Sequence, residues 1–393
     1  MSKINDLIKK LCPNGVEYKT LDKVCKINKG KQLNKDGLLS DGMYPVINGG
    51  ITPSGYWNDY NYDENLITIS QGGASAGYIA YQLTKFWAGA HCYVVEDCKD
   101  NIVYKYLYHF LKSKQADLQS SQVGAGIPSV SLKEIYGLKI PLPPVEVQEE
   151  IVLILDKFCE LEAELEAELE ARKSQYEFWR GDLFKQDIDK MVTLENIGDV
   201  TKLAGFEFSE YVNYSDEGNI IALRGLNVKN GHLILNDVKY VDNSNFSKLN
   251  RSKLYENDIL YTYVGTVGQV GLVDKNDKYY LAPNVARIRI LDEKVNPKYV
   301  MHFLLTNEFK ANQLDPLSGT SSMKNITMTN IRKFKIPVPS LDKQNRIVDI
   351  LDKFDSLVND ISVGLPAEIE LRRKQYEYYR NKLLSFEELS VSE

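Results

Sequence analysis

Four stretches of this chain occur twice in the same order, and any fold must accommodate that duplication. Leu138-Lys-Ile-Pro-Leu-Pro-Pro144 returns as Phe334-Lys-Ile-Pro-Val-Pro-Ser340, 196 residues later. Gln148 with Ile154-Leu-Asp-Lys-Phe158 returns as Gln344 with Ile350-Leu-Asp-Lys-Phe354 at the same offset. Lys105-Tyr-Leu-Tyr-His-Phe-Leu111 matches Lys298-Tyr-Val-Met-His-Phe-Leu304, and Arg172 to Arg180 matches Arg372 to Arg380. Each copy runs from a variable segment through a Pro-containing exit into a helix. At 393 residues the chain has room for two such copies, since domains run to roughly 100–200 residues.

Within each copy, short apolar or β-branched runs bounded by Gly, Asn and Asp predict strands. They are Leu66–Ser70 and Cys92–Val95 in the first copy, and Ile220–Leu223, Ile259–Val264 and Val285–Ile290 in the second. One amphipathic helix follows in each, near 101–115 and 297–313. The expected class is α+β, with two mixed α/β domains.

From Glu146 to Phe184 there is no Pro, and Gly appears only at 181. Ile154, Phe158, Leu161, Leu165, Leu169, Tyr176, Trp179 and Leu183 recur at helical spacing, with Arg172 filling the one gap. This predicts a long helix with an apolar stripe that seeks a partner helix. Its counterpart carries Ile350, Phe354, Leu357, Ile361, Leu365, Ile369, Tyr376, Tyr379 and Leu383, with a break or kink expected at Gly364-Leu-Pro366. Two matching stripes in one chain pack most simply against each other, antiparallel. Segment boundaries follow: 1–144 and 187–340 globular, 145–186 a spacer helix, 341–393 a second helical region.

Three tandem tetrads, Leu161-Glu-Ala-Glu, Leu165-Glu-Ala-Glu and Leu169-Glu-Ala-Arg, sit in the first helix. They read as a solvated acidic face, as a face for a basic partner, or as a length-setting ruler. They also explain the charge. The chain is −6 overall, but residues 146–170 hold ten acids against Lys157 alone, which leaves the remainder positive. Net charge therefore does not exclude nucleic acid; local patches decide.

No constellation for catalysis stands out. Phosphate-loop and HExxH patterns are missing. Cysteines at 12, 25, 92, 98 and 159 form no CxxC pair, which suits reduced thiols in a cytoplasmic protein with neither zinc nor disulfides. No apolar run approaches the 18 or so residues of a membrane span. His109 and His302 fall at equal repeat positions on apolar helix faces and are expected to be core histidines. Gly72-Gly-Ala-Ser-Ala-Gly77 and Val264-Gly-Thr-Val-Gly268 are followed by strand-like residues, so tight hairpins are expected there. No cofactor is expected.

Lys-Ile-Pro-Leu-Pro-Pro at 139–144 leading into Gln148…Ile154-Leu-Asp-Lys-Phe158 resembles the specificity subunit of type I restriction–modification systems. So does Gly364-Leu-Pro-Ala-Glu-Ile369 followed by Arg372-Arg-Lys-Gln-Tyr-Glu-Tyr-Tyr-Arg380. The resemblance covers essentially the whole chain. It implies two target-recognition domains, separated by long antiparallel coiled-coil helices in a pseudo-two-fold repeat, each reading half of a bipartite double-stranded DNA target. It also implies two modification (methyltransferase) subunits docked on the helices and motor–nuclease restriction subunits beyond them, with catalysis in those partners. Side-chain types that read base edges, placed in loops, nominate the contacts. In the first domain these are Asn48, Gln71, Ser75, Tyr78, Lys85 and His91. In the second they are Arg224, Asn227, Lys229, Tyr263, Thr266, Gln269, Lys324 and Asn325. A tandem adaptor for carbohydrate or protein is the alternative; a steep salt dependence of DNA binding separates the two.

Deleting Leu165-Glu-Ala-Glu168 preserves the stripe, because Leu161 then stands four residues before Leu169. The helix shortens by about 6 Å and rotates by roughly 40°, against ~3.4 Å and about 34–36° per base pair. The ruler reading predicts both half-sites kept and the unread spacer shortened by one base pair, at most two. Methylation across duplexes of graded spacer length measures this. An unchanged optimum leaves the tetrads an ordinary solvated helix.

Overall fold

The computed structural model describes residues 2–34, 37–120, 128–185, 191–317 and 325–389. The chain forms two compact units, Met1–Glu166 with Glu368–Glu393, and Ala167–Ala367. Helix Val145–Asp182, 38 residues long, contributes its first part to unit 1 and its remainder to unit 2. The expected long helix is therefore present; it starts at the expected residue 145 and ends at Asp182, four residues short of 186.

Among the described residues, unit 1 holds three sheets. A four-stranded antiparallel sheet has the spatial order β2 (Lys26–Lys29), β8 (Cys92–Glu96), β5 (Leu66–Ser70), β6 (Ile79–Gln82). A three-stranded sheet runs β4 (Tyr56–Trp57), β3 (Tyr44–Ile47), β7 (Trp87–Ala88). A two-stranded ribbon joins β1 (Glu17–Thr20) to β9 (Lys139–Leu142), so the segment's entry lies beside its exit.

Unit 2 repeats this plan. Its four-stranded sheet is β11 (Gly198–Lys202), β19 (Val285–Ile290), β16 (Ile259–Thr262), β17 (Val270–Leu272). Its three-stranded sheet is β15 (Lys239–Tyr240), β12 (Ile221–Leu223), β18 (Tyr279–Leu281). The ribbon is β10 (Met191–Thr193) with β20 (Lys335–Pro337). Even the parallel pairings correspond, β3 with β7 and β12 with β18. One hairpin is extra, β13 (Val228–Lys229) with β14 (His232–Leu233).

The predicted amphipathic helices are Tyr104–Ser113 and Pro297–Leu304. The second stops short of the expected residue 313, because Leu305–Thr306 interrupts it before a separate turn at Asn307–Phe309. Asn296 caps Pro297–Leu304 by accepting from the Lys298 N–H, and Pro297 opens the helix where no donor is needed.

Buried polar side chains join each globular segment to its helix in the same way. Gln148 is 0% exposed. Its Oε1 accepts from Val103 N at 2.9 Å, and its Nε2 donates to Asn101 O at 3.0 Å and Pro143 O at 2.8 Å. Gln344, equally buried, binds Asn296 N, Lys294 O and Pro339 O, each at 2.9 Å. His109 Nε2 meets Asp156 Oδ1 at 2.9 Å, and Lys105 meets Asp156 Oδ2. His302, Asp352 and Lys298 repeat the arrangement. Both histidines are core residues, as expected. Burial pushes both imidazoles below the ordinary histidine range, so each is neutral near pH 7. The copies diverge at one point: His109 Nδ1 meets the Tyr376 hydroxyl at 2.9 Å, whereas the matching Tyr176 donates to Asp355 at 3.3 Å.

In unit 1, helix Leu365–Leu383 runs antiparallel to the first part of the long helix. Phe158 stacks on Tyr379, and Arg373 pairs with Glu162 and with Glu166 one turn further on. In unit 2, Phe354 of helix Leu341–Asn359 stacks on Tyr176. The expected break falls at 360–364. Asp360 Oδ1 accepts from Ser362 N at 2.7 Å and Val363 N at 3.3 Å, and a Cβ on Gly364 would stand 2.5 Å from Ser356 O. Ile361, expected in the apolar stripe, lies in this turn and is 85% exposed.

Replacing Gln148 or Gln344 by Ala orphans one backbone N–H and two carbonyls in the core. Each substitution should lower the unfolding free energy by about 2–4 kcal/mol, measured by urea denaturation. A loss below ~1 kcal/mol would show that the buried amide is dispensable.

Candidate nucleic-acid interface

In each unit one hairpin stands where several loops meet. In unit 1 it joins β5 to β6, with Ser70 N donating to Tyr78 O and Gly77 N to Ser70 O, both 2.9 Å. In unit 2 it joins β16 to β17, with Thr262 N donating to Gln269 O at 2.9 Å and Gly268 N to Thr262 O at 3.0 Å. Gly77 (φ +83°) and Gly268 (φ +86°) hold the left-handed backbone the turn requires. A Cβ on Gly268 would also come within 2.5 Å of Leu314. Both Gly-rich stretches are thus hairpins, as expected, and not phosphate loops.

The same backbone bonds surround each hairpin. Gln71 N donates to His91 O at 2.8 Å, and Tyr263 N to Asn284 O at 3.1 Å. Val130 N donates to Gln71 O at 2.8 Å, and Ile326 N to Tyr263 O at 2.9 Å. Gly72 bridges Ser129 as Val264 bridges Asn325. The bonds therefore align Gln71 with Tyr263, Tyr78 with Gln269, and His91 with Asn284. Asn48 and Arg224 also correspond, each directly following its middle strand, β3 or β12.

In unit 1, Asn48, Gln71, Ser75, Tyr78 and His91 gather here. Asn48 Oδ1 accepts from His91 N at 3.1 Å. Lys112 lies 4.6 Å over the Tyr78 ring and donates to Ile79 O and Gln115 Oε1. Burial lowers its ammonium to about 8. Lys85 stands apart, paired with Asp63 and the Tyr60 hydroxyl, each at 3.0 Å.

In unit 2, Tyr263, Thr266, Gln269 and Asn325 gather around the hairpin. Thr266 and Asn325 are exposed, and Lys202 lies 5.4 Å over the Tyr263 ring. Lys324 lies outside the described residues. Arg224 is held by Asp237, donating to its Oδ1 at 2.8 Å and its carbonyl at 2.9 Å. Asn227 is 0% exposed, and its amide binds Arg224 N, Ile234 O and Asp237 O. It shapes the loop and presents no edge to solvent. Lys229 is exposed on β13.

Two positions were not singled out from sequence. Asn284, exposed with φ +70°, directly precedes β19 as His91 precedes β8, and that placement was the available signal. Ser129 becomes visible only through its bridge to Gly72. Among the described residues, no cluster of His, Cys, Asp or Glu is placed to hold a metal ion. The hairpins carry uncharged polar and aromatic side chains, Gln71, Ser75 and Tyr78 in one and Tyr263, Thr266 and Gln269 in the other, suited to reading hydrogen-bonding edges.

Comparison with known proteins agrees with this duplication. The model for the type I restriction modification DNA specificity domain matches twice, at residues 13–171 and 190–371. A type I restriction enzyme specificity subunit of Haemophilus influenzae is 32% identical, covering 94% of this chain and 96% of its own. The EcoR124I/EcoR124II specificity subunit of Escherichia coli is 31% identical over 75% of this chain and 74% of its own. The solved type I restriction–modification S subunit from M. genitalium shares the fold with a TM-score of 0.58 at 17% identity, covering 94% of this chain and 96% of that one. A chain from a structural study of type I R-M complex assembly and conformational transition does so at 0.60 and 16%, covering 95% and 98%.

The extra hairpin is pinned to its unit by His232 Nε2 on Asp355 Oδ2 at 2.7 Å. That hydrogen bond raises the His232 pKa. Burial opposes the charge on Asp355, but the bond from His232 outweighs it and the carboxyl titrates below its ordinary value. The raised histidine stabilises the fold fully below its unfolded pKa of about 6.5, and the contribution is lost as pH rises through the folded value. The lowered carboxyl acts oppositely, losing its contribution on acidification. His232 is half exposed, so screening keeps the effect below ~1 kcal/mol. Between pH 6.5 and 8.5 the melting temperature should fall further in the wild type than in His232→Gln. Parallel profiles would contradict the assignment.

Proposed function

The chain belongs to the family of type I restriction–modification DNA specificity subunits, and on that premise we propose that each unit reads one half of a bipartite double-stranded DNA target. The matched hairpins carry this reading. Two units share sheet order, register and buried polar clamps, yet differ in the side chains their hairpins present: Gln71 against Tyr263, Tyr78 against Gln269, Asn48 against Arg224. One scaffold holding two sets of polar and aromatic side chains suits two different half-sites, with phosphate contacts setting register and base-edge contacts setting sequence.

The contacts proposed in unit 1 are Asn48, Gln71, Ser75, Tyr78 and His91. Those in unit 2 are Tyr263, Thr266, Gln269 and Asn325, with Lys229 on phosphate. Arg224 reaches DNA only by leaving Asp237, and Lys85 only by leaving Asp63. Asn227 acts through the loop it braces. Domain limits follow the duplication: 1–144 and 187–340 as readers, 145–186 and 341–393 as helical regions that dock two modification subunits, with motor–nuclease restriction subunits completing the complex. Methyl transfer and cleavage belong to those partners, so the chain itself is a non-catalytic subunit acting in the cytoplasm. No helix among the described residues is long and apolar enough to cross a membrane.

Replacing residues 17–138 with the corresponding segment of a relative, in a complex with the modification subunits, should change one half of the methylated motif and leave the other intact. Sequencing of methylated DNA reads the outcome. A change in both halves, or in neither, overturns the two-reader assignment.

A further inference from the structure

Beyond the general hairpin surface, the strand register isolates one pair of side chains in each unit. β5 and β8 pair with Ser70 opposite Cys92, and the next rung sets Gln71 opposite His91, joined by the bond from Gln71 N to His91 O. β16 and β19 pair with Thr262 opposite Val285, and the next rung sets Tyr263 opposite Asn284. Residues opposed in this way across two strand ends have Cα atoms roughly 5 Å apart; Asn284, at φ +70°, leaves the extended backbone there. That spacing is close to the ~3.4 Å rise of a base pair, so such a pair reaches the same or neighbouring base pairs.

His91 and Asn284 are exposed, while Gln71 and Tyr263 are half-buried. Gln71 Oε1 lies out of solvent without a hydrogen-bond partner. An acceptor left so is costly, and the cost is relieved when the amide turns outward to a donor. Adenine and cytosine present such amino donors in the major groove, where Asn and Gln read adenine through paired bonds. Gln269 Oε1 in the matched hairpin is in the same state, whereas Arg224 and Lys85 are already paired with Asp237 and Asp63.

We propose that the cross-strand pairs Gln71·His91 and Tyr263·Asn284 are the matched specificity-determining positions of the two units, each pair reading the same or adjacent base pairs of its own half-site. The inference rests on the DNA-reading function proposed above and adds which residues read, and that they do so as transplantable pairs. Asn284 is thereby a reader, in the place His91 fills in unit 1.

The test uses the full chain in complex with its modification subunits, with the methylated motif read by sequencing. Gln71→Ala and His91→Ala should each relax one position of the same half, at the same or neighbouring bases. Tyr263→Ala and Asn284→Ala should do so in the other half. The double variant Gln71→Tyr with His91→Asn should change unit 1's half only at those positions. Relaxed positions that lie apart, a change in the wrong half, or an unaltered motif in variants that still methylate would overturn the pairing. Where a variant fails to methylate, its affinity for cognate and scrambled duplexes decides. Preference for the cognate should fall roughly tenfold or more, and equal weakening on both duplexes overturns the proposal. A wild-type complex without a bipartite motif would instead overturn the underlying function, which keeps the two failures distinct.

Discussion

A fully buried primary amide must satisfy two donors and an acceptor inside the protein, and Gln148 and Gln344 do so with backbone from two separate places in the chain. Each ties the Pro-containing exit to the loop ahead of the helix carrying His109 or His302. The globular segment and its following helix are thereby held as one body. The histidine–aspartate pairs one to two turns further along each helix repeat the tie with charge. Orientation of the sheets, and so of the hairpins they carry, depends on these joints.

Fixed joints with different surfaces are what duplication makes available. The clamps, the sheet order and the hairpin bonds keep one geometry in both units. The side chains at matched surface positions differ without disturbing it, because their backbone bonds are made whichever residue stands there. Gln71 and Tyr263 occupy one backbone site with unlike side chains. Unit 2 adds the β13–β14 hairpin, held by backbone bonds between Gly231 and β17 and by His232 on Asp355.

Much of this was legible in the sequence. The repeated motifs announce two units, and the apolar spacing marks the long helix, whose end falls four residues short of the expected 186. Gly364-Leu-Pro366 marked the break, and the placement of His109 and His302 marked them as core. Periodicity could not resolve two-residue strands such as β4, β7 and β15, whose pairing is decided by tertiary neighbours. It gives no sign that Asn227 is buried: a polar loop residue looks the same in sequence whether it faces solvent or satisfies three backbone groups. The pairing of Arg224 with Asp237, thirteen residues away, leaves no local signal in the sequence. Asn284 was passed over because only strand register reveals that it stands beside Tyr263.

Val16 N donates to Glu387 O at 2.8 Å, Leu389 N donates to Val16 O at 3.0 Å, and Gly15 turns at φ +89° where a side chain would strike Glu387. Unit 1 is therefore assembled from stretches that leave the ribosome far apart in time, whereas unit 2 is one uninterrupted run from Ala167 to Ala367. Domains form as their residues emerge. The order of synthesis is thus inverted in the order of completion: the unit begun first waits, with Tyr376 missing from His109 and the groove beside Val16 open, until the last helix has been made.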